Sequence, residues 1–133
     1  MPAYPGNGLA NLLGNNRQAY LWDNDAVPAG TFPGSLSVAY QFARLDNAFY
    51  PWGAAFEVYF AGDPGVFEID IVGANIDAAE NFTFLGSITS ATSFVPGQYV
   101  GRWDMPSNIW VKYVAAWMKT LTNAVQVTLS VTR

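Results

Sequence analysis

The stretch AVQVTLSVTR, residues 124–133, alternates apolar and polar side chains without interruption. Val125, Val127, Leu129 and Val131 fall on one side; Gln126, Thr128, Ser130 and Thr132 fall on the other. A period of two belongs to the β-strand, whose successive side chains point to opposite faces. A strand with one wholly apolar face has to lie against a core. This segment is therefore expected to be structural, and its removal is expected to unfold the domain. Its simplest partner is the segment immediately before it.

The same kind of segment recurs along the chain. QAYLW (18–22), SLSVAYQF (35–42), AAFEVYFA (54–61), VFEIDIVG (66–73), NFTFLGSITS (81–90), QYVGRWD (98–104), IWVKYVAAWM (109–118) and the final stretch make eight candidate strands. They are rich in Val, Ile, Phe, Tyr and Trp and are separated by Gly, Pro, Asn and Asp clusters, the mark of strands and turns. Eight short strands in one small chain predict an all-β fold, a jelly roll or antiparallel β-sandwich. A length of 133 residues fits a single domain. Residues 1–17 hold three Gly, two Pro and four Asn, which reads as an irregular N-terminal arm ahead of a domain over 18–133. That arm is either loose or ordered on a neighbouring subunit, with Leu9, Leu12 and Leu13 as anchors.

GDPG (62–65) reads as a tight turn, since Pro64 presets φ and glycine accepts φ > 0. Pairing Ala61 with Val66 sorts both flanking strands at once. Phe56, Val58, Phe60, Phe67, Ile69 and Ile71 share a face, while Glu57, Tyr59, Glu68 and Asp70 share the other. IWVKYVAAWMKTL fits two periods. Trp110, Tyr113, Val114, Trp117, Met118 and Leu121 have helical spacing, and Ser107 could cap that helix. The strand reading puts Ile109, Val111, Tyr113, Ala115 and Trp117 on the core face. The β-branched and aromatic first half favours the strand. Pairing Trp117 with Val125 then sets Tyr113 opposite Leu129, and something else must cover Trp110, Val114, Ala116 and Met118.

Missing residue types narrow the chemistry. The chain has no Cys and no His. Ser-His-Asp and Cys-His catalysis, thiolate nucleophiles and zinc-thiolate sites are thereby excluded within it. No enzyme activity, cofactor or metal is expected. Net charge is −4, with six Lys and Arg in all; nucleic-acid binding, which needs a basic face, is not expected. The first residues hold no basic region followed by an apolar run, and no stretch reaches the ~18 apolar residues that span a membrane. Production in the cytoplasm, with retention there or export only as part of something larger, is the expectation. Only 12% of residues are charged, against a usual share of about 25%, while 51% are hydrophobic and 16% aromatic. Such a surface suits burial against a partner.

Several constellations have more than one reading. Glu57 and Asp70 come out opposite each other on the outer face of the GDPG hairpin, beside Glu68. They form a solvated polar face, an intersubunit contact for Arg, or a metal or catalytic site. Asp23, Asn24 and Asp25 lack the glycine of a calcium loop, since Val27 and Pro28 occupy the fifth and sixth positions, so a plain turn is the better reading. NFT (81–83) matches a glycosylation acceptor but falls within a candidate strand. The five tryptophans serve a core, a subunit interface or a sugar platform. Trp52 and Trp103 sit in sequence contexts that favour exposure. With Trp110, they and Arg17, Arg44 and Arg102 are the candidate interface residues, Arg being the preferred cation for intersubunit pairs.

The stretch from GVFEIDIVGANIDAAENFTFLGSITS through VPGQYVGRWDMPSNIWVKYVAAWMKTLTNAVQVTLSVTR resembles the small jelly-roll cement, or decoration, proteins of tailed bacteriophage capsids. The shared plan is a strand like VFEIDIVG, a loop like ANIDAAENF, a polar strand, and a strand running into proline like WDMP. A strand like IWVKY and a short turn then lead to a closing strand. The resemblance covers about residues 54–133. Lys112 stands where members usually carry Arg, and KTLTN replaces a turn that often contains Gly. The resemblance implies a virion structural protein on the capsid surface. It would bind the major capsid protein, associate with itself as a dimer or trimer, stabilise the lattice and lack catalysis. The alternative from the residues themselves is a carbohydrate-binding β-sandwich module using Tyr59, Trp52 or Trp103. A hydrolase relying on Glu57 and Asp70 is a third option.

Overall fold

A computed structural model describes residues 18–30, 42–44, 54–75, 82–92, 94–106, 109, 111 and 113–132. The described residues form nine strands and no helix. They are β1 (Gln18–Asp25), β2 (Phe42–Arg44), β3 (Ala55–Phe60), β4 (Phe67–Ala74), β5 (Thr83–Thr89), β6 (Phe94–Val95), β7 (Val100–Asp104), β8 (Tyr113–Leu121) and β9 (Val127–Thr132). Two antiparallel sheets result, one in the order β1-β9-β3-β7-β6 and the other β2-β8-β4-β5. Seven of the eight expected strands have counterparts, and β6 is an added two-residue edge. The arm over 1–17 lies outside the described residues, as does most of SLSVAYQF.

The pairing is nested. β1 pairs with β9, β2 with β8, β3 with β7, and β4 with β5. The chain is thus doubled on itself and rolled up, which is the jelly roll. Apart from β4–β5 and β6–β7, every connection crosses from one sheet to the other, so most sequence neighbours face each other across the core instead of lying side by side. Phe56, Val58 and Phe60 of β3 and Val127, Leu129 and Val131 of β9 fill that core from one sheet. Phe67, Ile69 and Ile71 of β4, Ile88 of β5 and Val114, Ala116 and Met118 of β8 fill it from the other. Each of these side chains is buried.

Two expected hairpins are corrected by this wrapping. GDPG is a crossover: β3 pairs with β7 and β9, β4 with β5 and β8. The core-facing set was right, because Phe60 and Phe67 do meet, at 4.6 Å between ring centroids, but across the interior. Likewise β8 and β9 belong to opposite sheets, and β9 lies between β1 and β3. A period of two says which side chains look inward; it is silent on whether their partners are beside them or opposite.

The two crossovers are zipped together at one end. Thr122 N and Oγ1 both donate to Val66 O at 2.9 Å, Asn123 N donates to Pro64 O at 3.0 Å, and Ala61 N to Gln126 O at 2.9 Å. Asp63 Oδ1 accepts from Gly65 N at 2.9 Å, shaping the turn, and Gly65 has φ of 69°, which favours glycine.

The faces of β8 also differ from expectation. Val114, Ala116 and Met118 point into the main core. Ala115 and Tyr113 join Val72, Ala74 and Phe82 in a second, small cluster on the outer side of the four-stranded sheet. With apolar residues on both sides, β8 carries no pattern that names the inner one. The strand reading itself holds from Tyr113 onward. Asp23 to Asp25, expected in a loop, continue β1, which carries register shifts between Tyr20 and Asp25 and a positive φ at Asn24.

Candidate docking face

The outward side of the five-stranded sheet carries two rows of side chains running across its strands. In the first, Tyr20 of β1 pairs with Ser130 of β9, Ser130 with Glu57 of β3, and Glu57 with Arg102 of β7. In the second, Thr128 pairs with Tyr59, Tyr59 with Val100, and Val100 with Val95 of β6. Alternation explains the separation: Val58 and Leu129 lie between these positions and turn inward.

Tyr20, Tyr59 and Val95 are 43%, 53% and 49% exposed. Tyr20 and Tyr59 stand two strands apart, about 10 Å at the usual strand spacing. On the far side of Tyr59 from Tyr20, across β3 and β7, lies a polar cluster. Arg102 Nη1 donates to Glu57 Oε2 at 3.0 Å and Arg102 Nε to Asp104 Oδ1 at 2.8 Å. Both bonds lie in the open, so their worth to folding is small. Asp104 foremost, then Glu57, raises the guanidinium pKa above its usual value. The guanidinium is flanked by two carboxylates, so the cluster as a whole is negative. Ser130 and Thr128 add hydroxyls, and the whole frames an open hollow of about 470 Å³.

This geometry separates the two carboxylates paired in the sequence reading. Glu57 faces Arg102, while Asp70 lies in the other sheet, in register with Ser87 and Trp117. Asp70 is buried, contrary to the expected solvated face. The carboxylate pair proposed for hydrolysis does not exist. Among the described residues, no three acidic, His or Cys side chains gather as a metal cluster.

The remaining candidates are placed as follows. Trp103 is half-buried, against Phe56 at 5.7 Å between ring centroids, and its indole covers Gly86. That position is a lid on the core, where the sequence reading expected exposure. Arg44 lies on β2 opposite Tyr113. Trp52, Trp110, Arg17 and Asn81 lie outside the described residues. Sequence reasoning did not gather Tyr20, Tyr59, Val95 and Val100 into one face. Their convergence depends on β9 inserting between β1 and β3, which no local pattern signals.

No protein-family model and no curated protein sequence matches this chain. Two solved structures are similar to it. The K1 cleaved adhesin domain of Lys-gingipain from Porphyromonas gingivalis W83 is 18% identical, with a TM-score of 0.44 over 92% of this chain and 78% of that one. The K3 cleaved adhesin domain of the same protein is 17% identical, with a TM-score of 0.43 over 87% of this chain and 71% of that one.

Proposed function

We propose that this jelly-roll domain is a non-catalytic docking module that binds a protein lattice through the outer face of its five-stranded sheet. The lattice is that of a capsid, as the resemblance of residues 54–133 to capsid decoration proteins implies. The observation that carries the reading is the pair of rows around Glu57 and Arg102. Tyrosine and arginine are the residue types that anchor protein interfaces, with apolar centres and polar rims. Exposed Tyr59 and Val95 lie near an arginine already engaged by two carboxylates, which lessens the ordering entropy lost on docking. Jelly rolls serve as capsid and lectin domains alike, so the fold alone does not choose between partners. Without His or Cys, and with Glu57 and Asp104 engaged by Arg102, the described residues of this face offer no imidazole, thiolate or unpaired carboxylate as a general base.

The test is co-sedimentation of the full chain with undecorated capsids, preceded by size-exclusion with light scattering. The expected outcome is a dimer or trimer that pellets at saturating, symmetry-matched copy number. A monomer that stays in the supernatant overturns the reading. A second reading, a carbohydrate-binding module, draws support from the hollow of about 470 Å³, within the size range of small-ligand sites and lined by tyrosines, hydroxyls and a paired carboxylate. Glycan-array binding lost in Tyr59→Ala, with no capsid binding, favours it instead.

A further inference from the structure

On the other sheet, Asp70 occupies the middle of β4, between Ser87 of β5 and Trp117 of β8. It is 4% exposed, and its Oδ1 has no hydrogen-bond partner. The carboxyl of Glu68, two residues earlier on the same face, is its closest acidic neighbour and raises its proton affinity. Ionised carboxylates only accept hydrogen bonds, so two neighbouring carboxyls can bond to each other only if one carries a proton. A buried, unpaired negative charge is also among the costliest things a fold can hold.

The surroundings decide which carboxyl holds that proton. On β8, Lys119 Nζ lies 3.8 Å from Glu68 Oε2 and 5.8 Å from the Trp117 ring centroid. Its charge therefore offsets Glu68, the more exposed of the two acids. On β5, the residues in register with Asp70 and Glu68 are Ser87 and Thr89, which do not titrate in this range. Among the described residues, Glu68 and Lys119 are the charged groups acting on Asp70.

We propose that Asp70 and Glu68 form a proton-operated latch on the outer face of the four-stranded sheet, closed while they share one proton and strained once it is lost. The latch is independent of the docking reading and lies on the opposite sheet. Burial first, then the hydrogen bond and charge of Glu68, pushes the Asp70 carboxyl from 3.8 up to about 7, with Lys119 opposing. Unfolded, Asp70 loses its proton near the ordinary value. Folded, it keeps the proton into the neutral range. Between those limits the folded chain binds one proton more than the unfolded chain. Stability from this group is therefore full at low pH, declines as pH rises through the window, and levels off above about 7.

The experiment is urea unfolding of the full chain from about pH 5 to about pH 8, with the wild type compared against Asp70→Asn. The wild-type folding constant is expected to fall, relative to the variant, by up to about tenfold per pH unit until about pH 7. Carboxyl-carbon NMR on the wild type gives a second readout that needs no variant to fold. Asp70 is expected to titrate near neutrality, and Glu68→Gln to move that midpoint down. An Asp70 midpoint at the ordinary aspartate value, or identical pH dependence in wild type and Asp70→Asn, overturns the latch. So does calcium binding that stabilises the wild type at high pH and is lost in Asp70→Asn, because a cation would then neutralise the pair in place of the proton.

Discussion

The indole of Trp103 lies against Gly86, on the spot where any larger residue at position 86 would put its side chain. β7 and β5 belong to different sheets, so this contact spans the sandwich at its rim. Gly86→Ala is expected to force the ring aside and cost about 1–3 kcal/mol, the usual penalty for overpacking. Trp103→Leu in the same chain should recover part of that loss, since residues in contact are not additive. Urea unfolding of both single variants and the double variant measures the coupling; strict additivity would contradict the contact.

The zipped crossovers constrain Gly65 in the same way. A Cβ at that position would meet Thr122 Cβ at 3.0 Å, and φ is 69°. Gly65→Ala is therefore expected to lose roughly 1–2 kcal/mol, the cost of holding an L-residue in the left-handed region. Gly97, in a turn with nothing within 4 Å of its own Cβ position, is the control, and Gly97→Ala should change stability far less. Thermal unfolding of the two variants compares them directly.

Deleting residues 127–132 should abolish the folded state. β9 is the bridge between β1 and β3, and Val127, Leu129 and Val131 are fully buried. Truncating even Leu129 alone to Ala should cost about 2–5 kcal/mol. Circular dichroism and proton NMR dispersion report the outcome; a truncated chain that keeps dispersed methyl signals would contradict the topology.

The fold class was legible because alternation is a local property. Phe56, Val58, Phe60, Phe67, Ile69 and Ile71 were rightly assigned to one interior from residues a few positions apart. Their sheet partners were not legible, since β9 finds β1 and β3 through contacts that span the chain. Asp70 shows the same limit. Its polar side marked it as outward, which it is, but what lies over that outer face decides whether outward means wet. Arg102 stood out as a cation among aromatics, yet its partner Glu57 follows from the β3–β7 register alone, whereas Asp104 stands two residues along the same strand. Tyr20 drew no notice, because it becomes part of a face only when Ser130 is set beside it.

The docking function requires that the outward face of the five-stranded sheet be the surface that meets the partner. The most direct measurement is the affinity of Tyr20→Ala/Tyr59→Ala for undecorated capsids, with Phe84→Ala as a control, since Phe84 is more exposed than either tyrosine but belongs to the four-stranded sheet. The double variant should unfold at the wild-type midpoint within a few degrees, both tyrosines being exposed, and bind at least about tenfold more weakly, as loss of interface anchors does. Phe84→Ala should bind like the wild type. Undiminished binding by the double variant, or loss of binding in Phe84→Ala instead, would contradict the assignment of the face.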